Sequence, residues 1–308
     1  MELDAKLSTQ PVLQMRSQRK RLWRTFVRNR MAIVGLFIVL FATLTAVFAD
    51  DWFLAFFQDR DAQPLLAPFE PNKQDISRRY AEPSSQHLMG CDLYGRDYLS
   101  RIIYGGRVSL VVGVGSILLG CAVGTLMGIV AGYSGGRVEN VMMRAIDVLI
   151  SFPGLILALL LLTVLGAGIS RMILAIGVGY ASSFARLVHS ATLAVKENDY
   201  VEAARAIGSS WPRIIRVHIL PNILGELVVV SSLWTAGAIR AEANLSFLGL
   251  GVSPPTAAWG SMIRSGMSRL NIAPWLALYP GLAILLTVLG FNLLGDGLRD
   301  ILDPRLQQ

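Results

Sequence analysis

Few residues of this chain are placed to make or break bonds. Ser134, in the turn Gly132-Tyr133-Ser134-Gly135, could serve as a nucleophile if His189 or His218 reached it as base. Both histidines lie at the edges of apolar runs rather than within them, so a glycine-rich turn is the better reading. No HExxH and no clustered set of His, Cys and acids offers a metal site. Cys91 and Cys121 lack metal-ligand spacing; one lies in a polar segment and the other in an apolar run, so they are not expected to pair. The chain contains no Gly-Lys dipeptide, hence no Walker-type loop to cradle phosphates, and any ATP must be hydrolysed on another chain.

Recognition of another protein is the chemistry that remains, and the stretch suited to it is Asp199 to Asn222, DYVEAARAIGSSWPRIIRVHILPN. Asp199 followed three residues later by Glu202 has the form of a capping box, which predicts a short helix from Tyr200. Ala203, Ala204, Ala206 and Ile207 give that helix a small, smooth face, and Gly208 supplies the left-handed residue that ends it. A second helix is predicted from Ser209 or Ser210, with Pro212 in its first turn, to about His218, before a break at Pro221. An alanine-rich helix showing little side chain can slide into a groove on a partner; by spacing alone an ordinary loop helix fits equally well.

The elements that must position this segment are membrane spans. With 53% hydrophobic and 16% charged residues and a mean hydropathy of +0.52, the 308-residue chain is too apolar for a soluble domain of its size. The net charge of +7 does not point to nucleic acid, because the basic residues gather at Lys6, Arg16, Arg19, Lys20, Arg21, Arg24, Arg28 and Arg30, before the first apolar run. That is a cytoplasmic flank, and residues 1–30 are read as a basic inner tail.

Six segments qualify as spans: Met31–Ala49, Val108–Gly136, Val148–Ser170, Met172–Val188, Asn222–Ile239 and Leu270–Gly295. The basic stretch before Met31 is too long for a signal peptide, so the first span is expected to be retained. Residues 50–107 form an acidic, proline-bearing outer loop, in which Asp92 with Arg96 and Asp97 with Arg101 are spaced to pair on a helix. Gly120, Gly124, Gly128 and Gly132 recur every four residues, a stripe that lets a neighbouring helix approach closely. Phe152-Pro153-Gly154 predicts a break in the third span. Glu226 stands near the inner boundary of the fifth span, where headgroups can solvate it. Residues 240–263 are too short and too rich in Gly and Pro to cross; they are expected to be re-entrant or interfacial, with Trp259 as anchor. Residues 108–298 form the core and 299–308 an inner tail, so an even number of spans leaves both termini, and the segment 199–222, in the cytoplasm.

The residues Glu202-Ala203-Ala204-Arg205-Ala206-Ile207-Gly208, followed by nine residues and then His218-Ile219-Leu220-Pro221-Asn222, resemble the EAA loop of ABC importer permeases. The general pattern has an apolar residue at the position of His218; HILPN resembles the oligopeptide and dipeptide branch. The stretch from His87 to Leu110, the string SFLGLG before Pro255 and Trp259-Gly260, Trp23 and Gly35 near the first span, and Asp303-Pro304-Arg305 resemble the C-type subunits of that branch, in which Thr usually stands where this chain has Cys91.

The resemblance implies an all-α permease of the type I importer fold in a bacterial inner membrane. It also implies a heterodimer with a B-type permease, two ATPase subunits that carry the ATP and Mg, and an external solute-binding protein. Glu202, Ala203, Ala204 and Gly208 would make the docking contact, supported by Arg205, Trp211 and Arg213. No cofactor is expected on this chain itself, and the substrate, whether dipeptide, longer peptide, glutathione or nickel, stays open. A transporter or channel working alone would instead carry ionisable groups at mid-membrane, and the six segments are nearly bare of them. An intramembrane protease of rhomboid type, whose GxSG form the turn at Ser134 resembles, is a further alternative.

Overall fold

A computed structural model of the chain describes residue 27, residues 29–51 and residues 63–302. Most of the basic tail, Trp23 and Asp303-Pro304-Arg305 lie outside the described residues. Among the described residues the regular elements are helices, joined by turns and loops, with isolated bridges in place of extended strands. In chain order the helices are α1 (Arg30–Val47), α2 (Tyr98–Ser134), α3 (Gly136–Ser151), α4 (Gly154–Leu165), α5 (Ile169–Lys196), α6 (Asp199–Ala206), α7 (Trp211–Leu248), α8 (Trp259–Met267) and α9 (Trp275–Leu302). Five of them, α1, α2, α5, α7 and α9, are long and apolar enough to cross a membrane; α3 and α4 make a sixth candidate, bent by 91° at their break.

α2, α5 and α7 run longer than the apolar runs alone suggest. α2 starts at Tyr98 because Asp97 caps it: its Oδ2 accepts from the Ser100 amide at 2.8 Å and from the Ser100 hydroxyl at 2.7 Å. Asp92 and Asp97 therefore precede the helix, and the two pairs expected on one helical face are rearranged. Arg96 does pair with Asp92, at 2.7 Å, but Arg101 also turns to Asp92, at 3.5 Å, while Asp97 meets His87 at 2.8 Å. Cys91 is fully buried among these groups. Burial, with Asp97 and Asp92 nearby, pushes its thiol up to about 11, which leaves it protonated at neutral pH.

The end of α7 differs most from expectation. Arg240 and Glu242 do not stop the helix, which continues to Leu248 and closes on Gly249 at φ 93°. Residues 240–248 are thus the end of a span rather than a re-entrant segment. Trp259 is not an interfacial anchor either. It is buried, packs on the faces of Gly105 and Gly106, and donates its Nε1–H to the Ile102 carbonyl at 2.9 Å, which ties α8 to α2.

The α2 glycines lie against α5. A Cβ at Gly124 would stand 2.4 Å from the Ala181 carbonyl, and one at Gly128 2.6 Å from that of Ala185. Gly120 and Gly132 make the matching approaches, toward Gly177 and His189. Backbone meets backbone along four turns, the close approach that holds helices together in lipid.

Candidate functional site

The end of α5 and the segment after it are fastened to the bundle at three points. Lys196 caps the end of α2, donating from Nζ to the carbonyls of Gly132 at 3.2 Å and Tyr133 at 2.9 Å. Arg205 of α6 lies over the Tyr133 ring at 5.1 Å. Tyr200 is clasped by α7: its ring lies 5.8 Å from that of His218, and its hydroxyl accepts from Asn222 Nδ2 at 3.3 Å. The histidine that departs from the general pattern thus packs against the first turn of α6.

α6 begins one residue earlier than expected. Asn198 is its N-cap, Asp199 and Glu202 both stand in the first turn, and the cap makes no side-chain hydrogen bond, so the reciprocal bonds of a capping box are not formed. The two carboxylates still favour the positive end of the helix. Gly208 has φ 79°, and the Ser209 amide donates back to the Ala204 carbonyl at 3.0 Å, closing the C-terminus.

The second helix also differs. Trp211–Ile214 opens α7, passes through a π-helical turn at Ile215–Ile219 and continues without a break. Pro221 falls in the first turn after the π segment, where its missing N–H does not interrupt a regular ladder.

Burial divides the singled-out residues. Val201 and Ala204 point inward, at 0% and 7% exposure, into the core that also holds Ile214 and Ile219. Glu202, Ala203, Arg205, Gly208, Trp211 and Arg213 face outward, with Ile207 83% and Trp211 61% exposed. Ala204 therefore seats the helix and is not part of its outer face. α6 and the start of α7 together form a short, rigid projection with small and apolar residues at its tip.

One group escaped the sequence reading. Glu242 on α7 is fully buried; its Oε2 accepts from the Ser109 hydroxyl of α2 and its Oε1 from the Ser246 hydroxyl, both at 2.6 Å. Its position beyond Ile239 hid it, although the absence of Gly or Pro before Gly249 was the signal that the helix runs on. The carboxyl is sealed by two hydroxyls and so fits a structural tie better than an ion relay. Ser134 is exposed, while His189 bonds Glu139 at 2.7 Å and His218 packs on Tyr200, so both candidate bases are engaged elsewhere.

Comparison with known proteins agrees with this architecture. Residues 124–308 match the family described as binding-protein-dependent transport system inner membrane component. Residues 17–83 match the N-terminal TM domain of oligopeptide transport permease C. The chain is 41% identical over 307 residues to the glutathione transport system permease protein GsiD of Pectobacterium atrosepticum, covering 98% of this chain and 97% of that protein. It is 40% identical over 307 residues to the protein of that name in Escherichia coli strain 536, at 98% and 97% coverage. The corresponding Shigella sonnei protein is 40% identical over 295 residues, at 96% and 93% coverage. The chain belongs to the family of binding-protein-dependent inner membrane components and is a non-catalytic, multi-pass permease subunit of a bacterial ABC importer of the peptide and nickel class.

Proposed function

We propose that this chain forms half of the translocation pathway for small peptides and couples it to ATP hydrolysis through α6 and the start of α7. Its partners would be a B-type permease, two ATPase subunits that carry ATP and Mg, and an external binding protein. The observation that carries this reading is the division of faces on α6. Val201 and Ala204 lock the helix inward, while Ala203, Ile207, Gly208 and Trp211 stand out where no other described part of the chain covers them. Such a helix moves as one body with α2 and α7, because Arg205 holds it to Tyr133 at the end of α2 and the Tyr200 clasp holds it to α7. ATPase closure would then be transmitted to the spans as a rigid displacement. The relatives' names point to glutathione, a tripeptide, as the kind of substrate.

The test is co-purification of the whole complex from cells expressing all its subunits. Ala203→Glu places a charge on the outer face with little effect on the chain's own packing. It is expected to abolish ATPase recovery and peptide uptake while the chain stays inserted and paired with the second permease. Wild-type ATPase recovery with this variant would refute the docking role.

A further inference from the structure

α7 carries a pair of exposed polar side chains on one face near its C-terminal end. Arg240 and Asn244 are four residues apart, both are exposed, and neither has a hydrogen-bond or ion-pair partner among the described residues. A guanidinium and an amide facing hydrocarbon are disfavoured, so this end of the face meets water, a ligand or protein.

The surroundings of Arg240 are those of a recognition point. Gly237, one turn below it, has no Cβ, and the Tyr180 hydroxyl of α5 comes within 2.5 Å of where that atom would stand. The Nη2 of Arg240 lies 4.0 Å from the same point, so hydroxyl and guanidinium both approach the open space over the glycine. Trp234 backs the Tyr180 ring at 5.7 Å and is itself held edge-on by Phe184 at 4.6 Å, which fixes the tyrosine. The group therefore offers a planar fork of N–H donors and a phenol about one glycine, with a carboxamide one helical turn further along the same face. That donor set matches a carboxylate held bidentately, next to a peptide bond.

We propose that Arg240, with Asn244 and Tyr180, is where the pathway through this subunit holds the carboxylate of a peptide in transit. The proposal rests on the importer reading above and adds to it a residue-level basis for selecting anionic peptides. The test uses the complete importer with its binding protein in proteoliposomes supplied with ATP, and compares uptake of glutathione with uptake of its C-terminal amide. Arg240→Gln is expected to raise KM for glutathione about tenfold, the loss of one charged hydrogen-bonded contact, while KM for the amide moves less than about twofold. Arg240→Lys, which keeps the charge without the fork, should restore part of the difference. As a second measurement, Asn244→Cys in a Cys121→Ser background should react with a membrane-impermeant methanethiosulfonate, and S-methylglutathione, which has no free thiol to consume the reagent, should slow that reaction.

Equal loss of both peptides, failure of the cysteine to react, or loss of the second permease from purified Arg240→Gln complex would overturn the proposal. The last result would show that the arginine pairs across the subunit interface. If the wild-type importer accumulates neither peptide, the peptide-import reading itself has failed, and the inference falls with it.

Discussion

Glu242 is a buried carboxyl that makes no contact with a cation among the described residues. Its two oxygens are each occupied by a serine hydroxyl, one on α2 and one a turn along α7, so the acid ties the two helices together. Replacing it by Ala would leave both hydroxyls buried without an acceptor, and an unmet buried polar group costs about 1–3 kcal/mol. Glu242→Ala is therefore expected to lower the unfolding temperature of the detergent-purified chain. Glu242→Gln, which keeps an acceptor oxygen of the same reach, should lower it less. An equal shift for both would mean that the cavity, not the hydroxyls, sets the loss. The residue was not legible in the sequence because two charged residues after Ile239 look like the end of a span. Only the packing of Ser109 against α7 shows why a carboxyl can continue inside.

Elements were legible where their physics is local and repetitive. A glycine every fourth residue in an uncharged run identifies a face of close approach, and α5 lies along it at backbone distance. The position of Gly208 gave the end of α6, since a left-handed residue is needed wherever a helix closes in this way. Boundaries set by tertiary structure were not legible: α2 begins at an Asp whose partner is His87, and the π turn at Ile215–Ile219 leaves no mark in the sequence. The seam makes its own prediction. Gly124→Leu would drive a side chain into the Ala181 carbonyl and Phe184, whose ring is already held by Trp234. Overpacking of a tight contact costs about 1–3 kcal/mol or more, so α5 should separate from α2 and the yield of folded chain should fall. Gly179→Ala, on α5 where no atom lies within 4 Å, should instead be neutral or gain about 0.5–1 kcal/mol from helix propensity. Thermal unfolding of the two variants side by side checks the contrast.

The whole molecule is organised by one relation, the parallel course of α2 and α5. Gly120, Gly124, Gly128 and Gly132 meet Gly177, Ala181, Ala185 and His189 in ascending order, and Lys196 at the end of α5 caps the end of α2. Two successive spans can run parallel only if the chain crosses back between them. α3 and α4 must therefore return it, although α4 has 12 residues and spans about 18 Å of a hydrocarbon layer of about 30 Å. The 91° bend at Phe152-Pro153-Gly154 turns the charged helix α3 aside, and α4 with the glycine-rich loop at 166–168 completes the crossing. α1 and α9 agree with six crossings, since Asn29 before α1 donates to Asp300 near the end of α9 at 3.0 Å, which brings both ends of the described chain to one side. We propose that this side is the cytoplasm, because the residues that precede α1 in the sequence are strongly basic. α6 lies on the same side, since α5 and α9 both run inward. Cysteines placed at Gln10, Ile207 and Gln307 should then resist an impermeant maleimide in intact cells and react after permeabilisation, while one at Gln74 should react in both. Labelling of Ile207→Cys from outside would invert the bundle and remove the coupling segment from any ATPase.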